Sequence, residues 1–129
     1  GDAALAKQLG ELAGKADKIR KEVVATTEGG AITGEERLRE HADTLYGAIM
    51  SYDGKPADYQ LARIDSLTHE LDDVAKQFAQ FQSSDLAKAN SALGKAKLKS
   101  ISVPPAAPAD KSGGSAEAAK AYFSRFERD

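Results

Sequence analysis

The sequence predicts an all-α protein: an antiparallel up-and-down bundle of three to four helices, with a Pro/Gly-rich tail and a short C-terminal helix. Two observations carry this. Apolar residues recur in alternating steps of three and four along three stretches, which keeps them on one side of a helix and requires burial against other helices. Short glycine- and proline-bearing turns separate those stretches, and loops of a few residues between long helices make antiparallel neighbours.

The first stripe runs Leu5, Leu9, Leu12, Ala16, Ile19, Val23. It predicts a helix from about Asp2 to Thr27, with Asp2 as N-cap. Lys7 and Glu11, and Lys18 and Glu22, are spaced four apart on its outer face and add only tenths of a kcal/mol. Gly29 and Gly30 stop it. Gly1 stands where a Met would begin a chain, and the helical pattern starts almost at once. This reads as a scar from tag cleavage, with Asp2 entering in the middle of a longer protein.

The second stripe runs Leu38, Ala42, Leu45, Ile49, Tyr52. Thr33-Gly34-Glu35-Glu36 has the spacing of a capping box, in which the Thr33 hydroxyl and the Glu36 carboxylate each satisfy the other's backbone amide. Asp53-Gly54 makes a turn. The third stripe runs Leu61, Ile64, Leu67, Leu71, Val74, Phe78, Phe81. Its helix is expected to open at Pro56, which is tolerated in a first turn, with Asp58 near the positive end of the dipole.

At Ser83-Ser84-Asp85 the third helix weakens, and the stripe beyond is thin. A break is expected there, with a serine capping a fourth helix that carries Leu86, Ala89, Leu93 and Ala96; a kinked continuation is the alternative. Gly94 costs this last stretch about 1 kcal/mol relative to Ala. The expected organisation is a bundle over residues 1–98, a linker over 99–115 and a short amphipathic helix over 116–129. Three of the four prolines fall between 104 and 108, and linkers have that composition. Ser115 can cap the last helix, whose Ala119, Tyr122, Phe123 and Phe126 cover one side. About 13 residues are marginal as an isolated helix, so this one needs a surface to dock on. The helix 1 estimate of near 37 Å exceeds that of helix 2, nearer 27 Å, which leaves part of helix 1 uncovered.

Composition narrows the function. The 129 residues suit one domain. Net charge is −2, with both signs interleaved, which argues against a nucleic-acid surface. Lys88, Lys95, Lys97 and Lys99 are the nearest approach to a basic patch and fit a helix C-terminus. No cysteine is present, so thiolate metal sites and a Cys nucleophile are excluded. No apolar run approaches the roughly 20 residues needed to span a bilayer, and no signal-peptide pattern is visible.

Chemistry-bearing residues are few. A metal site would draw on Glu36, Glu40 and His41 of the second helix with His69, Glu70 and Asp73 of the third. Neither histidine follows a Glu at the Glu-x-x-His spacing of di-iron bundles, and solvated histidines are the expectation. Ser66, His69 and Asp65 or Asp73 lie on one helix and cannot align as a triad. Glu28 to Gly34 resembles a phosphate loop only in glycine content; it has no Lys. No catalytic residue, metal ligand or cofactor is therefore assigned. Tyr46, Tyr52, Tyr59 and Tyr122 are either recognition residues or rings that close the bundle ends with wet hydroxyls. The candidate interaction surface comprises Tyr122, Phe123, Phe126, Tyr52 and Tyr59.

Two segments, Thr26 to His41 (TTEGGAITGEERLREH) and Ser51 to Arg63 (SYDGKPADYQLAR), resemble the C-terminal helical region of bacterial sortilin-like, BNR-repeat β-propeller proteins, often labelled glycosyl hydrolases. The resemblance covers roughly residues 5–98. It implies a non-catalytic accessory domain whose partner is its own propeller or another subunit, in an exported, periplasmic or extracellular protein. Any glycosidase-like site would lie on the propeller, so no catalytic residue carries over. Two other readings stand beside it. One is a self-associating bundle that uses the heptad spacing of helix 1 between chains. The other is a bundle with a small-ligand or metal cavity.

Overall fold

The computed structural model describes residues 2–27 and 34–105, and within them the protein is an all-helical bundle. Helix α1 spans Asp2–Val23, α2 Leu38–Met50 and α3 Asp58–Gln80. A π-helical turn, Phe81–Leu86, joins α3 directly to α4, Ala87–Lys95. The residues at both joints keep right-handed helical dihedrals, so residues 58–95 form one continuous rod of 38 residues. At 1.5 Å per residue it is roughly 57 Å long.

The expected break at Ser83-Ser84-Asp85 is therefore absent, and the reason lies in the spacing. Phe81 and Leu86 are both buried yet five residues apart. Five residues of α-helix rotate a side chain by about 500°, or 140° off the seam. A π turn closes at i→i+5 and brings the fifth residue back beneath the first. The local unwinding returns Leu86, and with it Ala89 and Leu93, to the face that holds Leu67 and Phe81. Among the described residues, these five, Leu38 and Pro56 are the apolar side chains below a tenth exposed.

Both shorter helices run antiparallel to this rod. Lys15 pairs with Asp85, and Gln77 donates to Glu22 at 3.1 Å, so α1 ascends as the rod descends. Leu38 and His41 of α2 face Glu70, Asp73 and Val74 across a cleft, and the short connection 51–57 returns the chain into α3. It follows that α1 and α2 point the same way and meet end to end near the middle of the rod. Their 22 and 13 residues, roughly 33 and 20 Å, together match its length. The expected mismatch between helix 1 and helix 2 does not arise, because α1 is measured against the C-terminal half of the rod.

Packing one helix on one helix buries little. Leu5, Leu9, Leu12, Ile19 and Val23 stay half-buried, as do Leu45 and Ile49; Ala16 and Ala42 are exposed despite their place in the stripes. Leu71 and Phe78 are 53% and 38% exposed.

Helix boundaries differ from expectation where tertiary contacts offer better caps. Helix α1 stops at Val23 rather than Thr27. Helix α2 opens at Leu38, not at Thr33, which lies outside the described residues. Arg37 is its N-cap, and the Glu40 carboxylate accepts the Arg37 amide at 3.0 Å. Helix α3 begins at Asp58 after the buried Pro56, with Gln60 Oε1 accepting the Ala57 amide at 2.9 Å.

Helix α4 ends in a Schellman turn. Leu98 N–H reaches Leu93 O at 2.9 Å and Lys97 N–H reaches Gly94 O at 3.0 Å. Lys97 takes the left-handed conformation, φ 58°, which disfavours residues with a Cβ by roughly 1–2 kcal/mol. Lys97→Gly is expected to raise stability by about 1 kcal/mol in urea unfolding; an unchanged or lower midpoint would count against this cap.

Candidate interaction surface and the helix junction

The α2–α3 hairpin forms the end of the molecule farthest from α4. Ser51 ends α2, its hydroxyl donating to Ala48 O at 3.0 Å, and Tyr52 N–H reaches back to Ile49 O at 3.4 Å. The Tyr52 ring then lies over Gly54 so closely that a Cβ there would sit 2.6 Å from Cε1. Gly54 is thus the seat on which the ring rests. Tyr52 and Tyr59 remain 68% and 73% exposed, and Tyr46 and Met50 are also mostly exposed. The hairpin end therefore exposes Tyr52, Tyr59 and Met50, with Tyr46 exposed one turn farther back along α2. Tyr52 and Tyr59 were legible as candidates in the sequence. Met50 was not, because an apolar residue beside a stripe position carries no signal of its exposure. Tyr122, Phe123 and Phe126 lie outside the described residues.

The second feature is the joint between α1 and α2. Beyond the last turn of α1, the amides of Thr26 and Thr27 both donate to Glu35 Oε2 at 3.1 Å, and the Ala25 amide donates to Glu40 Oε2 at 3.1 Å. The Arg37 guanidinium closes on Glu35 Oε1 from the other side. Three backbone donors freed by the end of α1 are thus answered by two glutamates at the start of α2. The sequence contained the glutamates but not this pairing, which depends on α2 starting where α1 stops.

Those bonds favour the ionised carboxylates. The Thr26 amide, the Arg37 guanidinium and the Thr27 amide hold Glu35 down to about 2, from an ordinary 4.5. At Glu40 partial desolvation works upward, but the Ala25 and Arg37 amides and the Arg39 guanidinium outweigh it and the net shift is downward. Asp17, bonded to Lys21 and then Arg20, is lowered too. A carboxylate with a depressed folded-state pKa stabilises the fold above its unfolded value, and that contribution disappears as pH falls. Stability is therefore expected to decline from about pH 4.5 down toward pH 2, followed by unfolding midpoints across that range. Glu35→Gln should flatten part of the slope; an identical slope in the variant would remove Glu35 from the account.

A cleft of about 410 Å³ opens beside this joint, walled by Glu22, Glu36, Arg37, His41, Glu70 and Asp73 among others. It gathers four of the six candidate metal-site residues named above, Glu36, His41, Glu70 and Asp73, and leaves out Glu40, held by the Ala25 and Arg37 amides, and His69, whose Nδ1 lies 2.7 Å from the Asp65 carbonyl oxygen on its own helix. His41 Nδ1 is 3.5 Å from Glu36 Oε2. Among the described residues no three His, Cys, Asp or Glu side chains converge as metal ligands would. Ser66 faces Glu70 and Arg63 at 3.4 Å rather than His69. No described helix is long and apolar enough to cross a membrane.

No protein-family model, curated protein or solved structure matches the chain.

Proposed function

We propose that this chain is a non-catalytic helical interaction domain. It serves a larger, exported, propeller-containing protein, and docks through the α2–α3 hairpin end on that propeller or on another subunit. The observation that carries the reading is the exposed set of Tyr46, Met50, Tyr52 and Tyr59. Tyrosine supplies a large contact area with few rotatable bonds and is enriched where binding energy concentrates. Rings left facing water gain little folding energy, which supports a role in contact with a partner. The likeness of residues 26–41 and 51–63 to the helical region of propeller proteins supports the choice of partner, since the second segment contains Tyr52 and Tyr59.

The test is to read the open reading frame upstream of Asp2 and, where it encodes several hundred residues of short strands, to express them and measure binding to the whole chain by calorimetry. Tyr52→Ser with Tyr59→Ser is expected to weaken binding at least about tenfold, the scale of a lost aromatic anchor, with the helical circular-dichroism signal unchanged. An upstream region without strands, or equal binding by the variant, would overturn the reading.

Self-association is the second reading, favoured by the half-buried stripe of α1. A single monomeric mass by light scattering across micromolar concentrations would eliminate it.

A further inference from the structure

One flank of the rod carries the partly exposed Leu71 and Phe78, and no described element packs over it. Gln77 and Asp85 mark the flank that faces α1, and Glu70 and Gln77 line the cleft beneath the α1–α2 joint. Leu71 and Phe78 each follow a cleft residue by one position. They are rotated about 100° from it and, being seven apart, share the next flank. Phe78 stacks on the buried Phe81, with ring centroids 6.2 Å apart at 15°. This flank is therefore continuous with the core.

The chain beyond α4 travels toward that flank. After the Schellman turn it doubles back along α4, where the Asn90 side chain pairs twice with Ile101: Ile101 N–H donates to Oδ1 at 2.7 Å and Nδ2 donates to Ile101 O at 2.9 Å. Asn90 is twelve residues beyond Phe78. With one residue absorbed by the π turn, eleven remain, close to three turns of about 3.6. Asn90 thus shares the flank of Phe78, and the returning chain is held to that side of the rod at Ile101.

We infer that the C-terminal segment Ser115–Arg128 docks in this same molecule as a helix along the Leu71–Phe78 flank, seating Tyr122, Phe123 and Phe126 there. The reach suffices. Phe78 lies roughly 18 Å up the rod from Asn90, at 1.5 Å per residue. The ten residues 106–115 span up to about 33–36 Å when extended. A third helix on this flank would turn one-on-one helix packing into a three-helix cross-section, which is what Leu71 and Phe78 lack. It would also give a segment too short to be stable alone the surface it needs. The inference shares no residue with the hairpin-end reading and stands or falls separately.

The chain has no cysteine, so Ser124→Cys, off the apolar side of the segment, accepts a single nitroxide on the whole protein. Amides from Leu71 to Phe78 are expected to broaden severalfold more than the rest, at any protein concentration. Phe123→Asp with Phe126→Asp should abolish that broadening without altering α1 or α2 signals. Broadening spread evenly, or centred on the hairpin end, would overturn the inference. So would broadening that appears when isotope-labelled protein without the nitroxide is mixed with nitroxide-bearing protein, since a second copy would then be the occupant.

Discussion

Replacing Phe81 by Ala is expected to cost about 3–5 kcal/mol. Total stabilities are typically of order 5–15 kcal/mol, so one side chain here carries a large share. The ring is 8% exposed, stacks on Phe78 and opens the π turn, close to the level of Gln77 and Asp85, which both touch α1. Few neighbours can move in behind it, because α1 is the only described element packed over that level of the rod. The measurement is thermal unfolding followed at 222 nm. A midpoint lower by more than about 12 °C is expected for a domain of this size. A fall within 3 °C would mean that the core does not depend on this contact.

Deleting Ser83 is expected to have the opposite character. Removing one residue from the middle of a long helix ordinarily turns everything beyond it by about 100° and scrambles the buried face. Here the deletion shortens the Phe81–Leu86 interval from five residues to four, which an ordinary α-helix accommodates. The π turn should vanish while Leu86, Ala89 and Leu93 keep their positions. Unfolding should stay cooperative, with a midpoint equal to or above that of the parent. Deleting the exposed Ala75 is the control: it throws Phe78 and Phe81 out of phase with Leu67 and should abolish cooperative unfolding. Similar losses in both deletions would refute the view that the π turn exists to absorb a surplus residue.

Much of this fold was legible because helix periodicity is a local property. Leu38, Leu67 and Phe81 lie in stripes and are buried; Leu86, Ala89 and Leu93 were placed on one face and are buried too. A weak point at Ser83-Ser84-Asp85, between Phe81 and Leu86, was equally visible. Its resolution was not, because a break and a π turn satisfy the same local pattern. What selects between them is whether one partner, α1, spans the joint, as Lys15 with Asp85 and Glu22 with Gln77 show that it does. The start of α2 was misplaced for a similar reason. Thr33 to Glu36 forms a good capping box on paper, but Glu40 caps the Arg37 amide instead, held with Glu35 by amides 15 and 9 positions back along the chain.

The candidate surface divides the same way. Tyr52 and Tyr59 could be named from their place beside a turn, since a turn lies at the surface. The seat of Tyr52 on Gly54 and the exposure of Met50 needed coordinates.

By itself, then, the sequence determined that this protein is helical, roughly where each helix lies, which residues form its apolar faces, and that its charges are interleaved. These follow from residue order alone, because a helix face depends only on spacing along the chain. Tertiary structure decided that α3 and α4 are one rod, that α1 and α2 share its length end to end, and that no described element covers Leu71 and Phe78. Those outcomes depend on which apolar face meets which, and a stripe specifies that it must be buried without specifying by what.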